Sequence, residues 1–71
     1  MIILYSKPNC VYCDKVKNYI NENNISGVTY DESANVEKVR SYGGMQFPML
    51  EIEGQGIFGS DTIVSILEQL K

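Results

Sequence analysis

The chain opens on an unbroken apolar run, Ile2-Ile3-Leu4-Tyr5. Continuous apolar runs of this kind mark a strand covered on both faces. The spacing then changes. Cys13, Val16 and Ile20 recur at three and four residues, with the stem of Lys17 beside them, and this predicts a helix over about 11–23. The polar run Asn21-Glu22-Asn23-Asn24 ends it, and Asn24 suits a left-handed cap. Val28-Thr29-Tyr30-Asp31 reads as a second strand, parallel to the first because a helix separates them. A short helix is predicted over about 35–42, capped by Ser33 or Asn35, with Val36 and Val39 facing inward. Gly43-Gly44 stops it. Met49-Leu50-Glu51-Ile52-Glu53 alternates, with Leu50 and Ile52 on one face. Gly54-Gln55-Gly56 reads as a turn and Ile57-Phe58 as a return strand. After Gly59, Ser60 or Asp61 caps a last helix whose apolar face is Ile63, Ile66, Leu67 and Leu70. The order β-α-β-α-β-β-α predicts an α/β domain over residues 1–71, a four-stranded mixed sheet flanked by helices.

Composition narrows the function. The 71 residues suffice for one small core, and 44% are hydrophobic. Net charge is −3 and no basic patch is visible, which argues against nucleic acid as a partner. The apolar start is too short for a signal or a membrane span and lacks a basic segment before it. The expectation is a cytoplasmic monomer with no membrane attachment. The two cysteines are separated by two residues, so a bond between them closes a tiny loop and constrains the unfolded chain little. They are kept for chemistry rather than for cross-linking.

That chemistry is carried by Cys10-Val11-Tyr12-Cys13, at a strand-to-helix junction. A structural zinc needs four ligands, and a chain with two cysteines and no histidine cannot supply them alone. No metal is expected. A C-x-x-C beside a β-α-β pattern reads as a redox pair. The unpaired N–H groups and dipole of a helix N-terminus favour thiolate over thiol. Cys10 should be the exposed nucleophile. Cys13, one turn in on the apolar face, should be the buried resolving thiol. Lys7 either adds positive charge near the thiolate or is an ordinary solvated lysine. Asp14 opposes the thiolate by like charge but suits a first helical turn. Pro48 reads on physical grounds as a trans proline beginning a strand, a cis bond being the rarer alternative. At Gly59-Ser60-Asp61 the N–H groups of a helix start could hold a carboxylate, and Asp61 an ammonium.

Taken together, these residues resemble the glutaredoxins, members of the thioredoxin-fold superfamily, over nearly the whole chain. Tyr5-Ser6-Lys7-Pro8-Asn9-Cys10-Val11-Tyr12-Cys13 is similar to the family's active-site stretch, with Val11 where proline is commonest. Phe47-Pro48 falls where the family has valine and a cis-proline, and Gly59-Ser60-Asp61 where it has a glycine-rich segment and an aspartate. The resemblance implies a thioredoxin-like fold and a cis bond at Pro48. It also implies glutathione as co-substrate, no bound cofactor, and disulfide-containing or glutathionylated proteins as partners. By that resemblance Cys10 bonds the glutathione sulfur and Phe47 pairs its backbone with the cysteinyl part. Ser60 and Asp61 hold the γ-glutamyl end, Lys7 meets the glycyl carboxylate, and Tyr12 lines the cleft. Arg40 and Gln46 are candidates for a second carboxylate contact. The main alternative is a glutaredoxin-like thioredoxin, reduced by a flavoprotein reductase and serving ribonucleotide reductase. Such proteins usually carry a tryptophan-rich carboxyl-terminal loop, and this chain has no tryptophan. A second alternative is an iron–sulfur carrier sharing a cluster between protomers. Cys13 argues against it, since the family's carriers usually have a single active-site cysteine.

Overall fold

The computed structural model of the chain describes residues 1–70; Lys71, the last residue of the expected domain, lies outside them. The elements are β1 (Ile2–Tyr5), α1 (Val11–Glu22), β2 (Val28–Asp31), α2 (Val36–Ser41), β3 (Met49–Ile52), β4 (Gln55–Phe58) and α3 (Ser60–Gln69). The strands form a four-stranded mixed sheet in the order β2-β1-β3-β4. β1 runs parallel to β2 and antiparallel to β3, and β3 runs antiparallel to β4. The periodicity predicted the four-stranded mixed sheet and its element order, and the resemblance its thioredoxin-like architecture.

Strand alternation divides the core in two. Leu4 and Leu50, paired in register, face α1 and α3 and pack with Val16, Ile20, Ile63 and Leu67. Tyr5 and Met49, also paired, face the other way and pack with Val39 of α2. A one-residue slip of β1 against β3 would exchange the two sets, so burial on both faces pins the register.

Several local expectations are corrected. Val36 does not face inward: it is 45% exposed, and Val39 is the one buried residue of the six-residue α2. Asn35 is the cap of that helix, its Oδ1 accepting the Lys38 N–H at 3.2 Å, while Ser33 donates to Asp31. The β3–β4 turn is Glu53-Gly54, not residues 54–56, and β4 begins at Gln55. Both turn residues have positive φ (48° and 76°), the combination that matches the twist of a tight hairpin. The cap of α3 is neither Ser60 nor Asp61. Gly59 occupies the N-cap position with φ 90° and no side-chain cap bond, and Ser60 is buried in the first turn.

A polar cluster fixes α2 to the sheet. Glu51 of β3 accepts from the Tyr5 hydroxyl at 3.0 Å and from the Tyr42 hydroxyl, and Lys38 Nζ lies 3.1 Å from it. The Tyr42 ring lies so close to β4 that a Cβ on Gly56 would sit 2.7 Å from it. Burial, reinforced by the Glu51 charge, pushes the Tyr5 phenol up to about 12. Hydrogen bonding from Tyr42, with smaller help from Lys38 and Tyr5, holds the Glu51 carboxyl below its ordinary value despite desolvation.

Candidate active site

The site forms where β1 ends and α1 begins. Asn9 takes a left-handed conformation (φ 57°) that asparagine tolerates, and this turns the chain into the helix. Cys10 is then the N-cap of α1. Its Sγ accepts the Cys13 N–H at 3.2 Å, and its carbonyl accepts the Asp14 N–H at 3.1 Å. A sulfur thus fills the place usually taken by a Ser or Asp oxygen. The Cα atoms of Cys10 and Cys13 are 5.2 Å apart and the pair is joined as a disulfide.

Cys10 is less exposed than expected, at 7%, because its sulfur folds back over the first turn of the helix and bonds to Cys13. The expected order survives, since Cys13 is wholly buried. An incoming sulfur can reach only the Cys10 side of the bond.

A cleft of 460 Å³ adjoins the pair. Tyr12 lines it from between the two cysteines, Gln46, Phe47 and Pro48 from the loop before β3, and Gly59, Ser60, Asp61 and Thr62 from the start of α3. The Phe47–Pro48 bond is cis, as the resemblance implied. The uncapped first turn of α3 presents N–H groups that have no partner within the helix. Residues far apart in sequence therefore meet in one trough beside the disulfide.

Not every candidate joins it. Lys7 is exposed on the β1–α1 loop and is not among the lining residues. Of the two candidates for a second carboxylate contact, Gln46 lines the cleft and Arg40, exposed on α2, does not. Sequence reasoning missed Lys15. Its Nζ lies 2.8 Å from Asp61 Oδ1, linking α1 to α3 across 46 positions of sequence, with no local pattern to signal it. The hydrogen bond from Lys15 holds the Asp61 carboxyl below its ordinary value, and the same bond raises the Lys15 ammonium. A larger groove of 610 Å³ runs between α1 and α3 but is lined by none of Tyr12, Phe47, Pro48, Ser60 and Asp61. Among the described residues there is no cluster of metal-ligating side chains, and no helix is long and apolar enough to cross a membrane.

Fold and site together define a redox protein of the thioredoxin-fold superfamily with a disulfide-forming cysteine pair at a helix start. Residues 2–57 match the glutaredoxin family model, so the chain belongs to the glutaredoxin family. Over 60 residues it is 40% identical to the N-acetyl-S-hydroxy-L-cysteine reductase of Bacillus subtilis, covering 78% of this chain and 62% of that protein. The chain thus spans under two thirds of that relative's length. Among solved structures it resembles oxidised glutaredoxin 2 of Chlamydomonas reinhardtii (TM-score 0.70, 26% identity, 96% of this chain and 71% of that one). It also superposes on part of a glutathione S-transferase of Methylobacillus flagellatus solved with glutathione bound (TM-score 0.78, 22% identity, all of this chain and 37% of that one). The last likeness is one of fold alone.

Proposed function

We propose that the chain is a glutathione-dependent thiol–disulfide oxidoreductase of the cytoplasm, reducing protein disulfides and glutathione mixed disulfides through Cys10 and Cys13. The observation that carries this reading is the juxtaposition of a nearly buried N-cap sulfur with a cleft formed by Tyr12, Phe47-Pro48 and the open start of α3. Reduced Cys10 attacks a substrate disulfide, forming Cys10–S–S–R and expelling the other sulfur as a thiolate. Cys13 thiolate then attacks Cys10, releasing R–S⁻ and restoring the disulfide seen here. Two glutathione molecules reduce that disulfide and leave as oxidised glutathione. Phe47 pairs its backbone with the cysteinyl part of glutathione beside Pro48. Ser60 and Asp61 hold the γ-glutamyl carboxylate on the N–H groups of α3. Tyr12 covers the sulfur, and Lys7 meets the glycyl carboxylate from the loop.

The identity to the Bacillus reductase favours a second substrate class, small sulfenic acids. Cys10 thiolate would attack the sulfur of R–S–OH and form the same mixed disulfide, the departing hydroxide taking a proton to leave as water. Resolution by Cys13 is unchanged. Both substrates converge on one intermediate, so one dithiol serves both.

The test is turnover of a glutathione mixed disulfide coupled to glutathione reductase and NADPH, with thioredoxin reductase run in parallel. Turnover with glutathione alone supports the proposal. Turnover with thioredoxin reductase alone replaces it by the reductase-linked alternative. Cys10→Ser should abolish all exchange, because the chain has no other thiol but the resolving one. Cys13→Ser should lose reduction of protein disulfides yet keep removal of glutathione from mixed disulfides, which needs Cys10 only.

A further inference from the structure

Among the described residues, the one carboxylate lining the cleft is Asp61, and it is already engaged. Lys15, two residues beyond Cys13 on the exposed side of α1, places its ammonium 2.8 Å from Asp61 Oδ1. Both side chains are exposed, at 55% and 90%, so neither charge is trapped and the pair can open. The carboxylate lowering and the ammonium raising share one cause, the bond between them. A ligand that brings a free ammonium to Asp61 meets a site whose charge is balanced by another cation a hydrogen bond away. Such a ligand must displace Lys15 or sit beside it against like-charge repulsion. A ligand whose amino group is acylated brings no cation, so it meets no such competitor.

We infer that Lys15 is a specificity-determining residue of this cleft: by holding Asp61 it disfavours thiol ligands bearing a free ammonium relative to their N-acylated counterparts. The inference rests on the proposed seating of γ-glutamyl ligands at Ser60 and Asp61, and it names which members of that class the site prefers. Lys15 also lines the outer groove between α1 and α3, so its stem has an alternative place to lie once displaced. The selection is therefore graded rather than absolute. An exposed ion pair of this kind corresponds to about a two- to fivefold preference.

The experiment follows reduction of the oxidised protein by two thiols, glutathione and N-acetylglutathione, in stopped flow. In each case the thiolate attacks Cys10, a Cys10–S–S–R bond forms, and Cys13 leaves as thiolate. Any thiol performs this step, so a rate is obtained whether or not the protein turns over glutathione substrates catalytically. The readout is the ratio of the two rates. It cancels any effect of Lys15 on Cys10 itself, and intrinsic thiol reactivity cancels between variants. Lys15→Gln should raise the ratio in favour of glutathione by about two- to fivefold. In an Asp61→Asn background the same substitution should leave the ratio where it is. An unchanged ratio in Lys15→Gln overturns the inference, as does a shift that persists without the Asp61 carboxylate. The coupled assay judges the proposed function separately: loss of catalytic turnover with a retained ratio shift would remove that function and keep the selectivity.

Discussion

The two faces of the sheet are held by different physics. On one, Leu4 and Leu50 meet Val16, Ile20, Ile63 and Leu67, an all-aliphatic layer under two long helices. On the other, α2 contributes a single buried side chain, Val39, and its position is set by Tyr5, Tyr42, Lys38 and the Glu51 carboxylate. The aliphatic face gains stability from area removed from water and is indifferent to pH. The polar face gains little net stability from hydrogen bonds exchanged with water, but their directions fix where a short helix lies. The lesson bears on the site. α1 and α3, which carry the cysteines and the Ser60–Asp61 turn, stand on the strong face. The Gln46-Phe47-Pro48 rim hangs from the weak one.

The sharpest test of this contrast is Leu67→Ala. It opens a void in the aliphatic layer and should cost about 2–5 kcal/mol by urea unfolding. A smaller loss would show that α3 collapses to fill the space. Glu51→Gln on the opposite face should cost less, about 1–2 kcal/mol, because the amide keeps some hydrogen bonds and loses the charge assistance. It should also slow exchange by loosening the Phe47-Pro48 rim. Unaltered kinetics with lowered stability would uncouple α2 from the site.

The pH dependence isolates the same cluster. The Glu51 carboxyl is lowered in the folded state, so its stabilising contribution is present above its ordinary value of 4.5 and is lost as pH falls through the lower folded value. The Tyr5 phenol is raised from 10.0 to about 12, so its contribution is complete below pH 10 and is lost as pH rises towards 12. Stability measured across both limbs should flatten in Glu51→Gln on the acid side and shrink on the alkaline side, because part of the Tyr5 shift comes from Glu51. Smallest of the expected effects is Asn35→Ala, which removes the cap of α2 at roughly 1 kcal/mol. It should leave Leu67→Ala additive and show coupling with Glu51→Gln in a double-mutant cycle.

Where local spacing carries the information, the chain was readable. The strand at Ile2–Tyr5, the amphipathic α1 and the cysteine pair at its start follow from a few adjacent residues each. Glu51 shows what spacing misses. An alternating strand suggests one wet face, but β3 lies between β1 and β4 and under α2, so the carboxylate is enclosed. Its partners come from β1, from α2 and from the residue ending α2, which no sequence window displays. For Val36, i, i+3 spacing in a six-residue helix cannot say which end overhangs the sheet. Ser60 and Asp61 are good capping residues by type, yet Gly59 takes that place with a left-handed backbone. The cleft residues were legible by resemblance, whereas Lys15 on Asp61 is a purely three-dimensional fact.

One consequence follows from Cys10 serving as cap and nucleophile with the same atom. A thiolate accepting the Cys13 N–H makes a charge-assisted bond, roughly twice as strong as a neutral one. The disulfide sulfur makes only the weaker contact. Electron uptake by the pair and tightening of the helix start are therefore a single event. Strengthening the first turn of α1 around a thiolate makes the protein a better oxidant, and fraying it makes a better reductant. At about 30 mV per 1.4 kcal/mol, engineering of this helix end becomes a voltage dial.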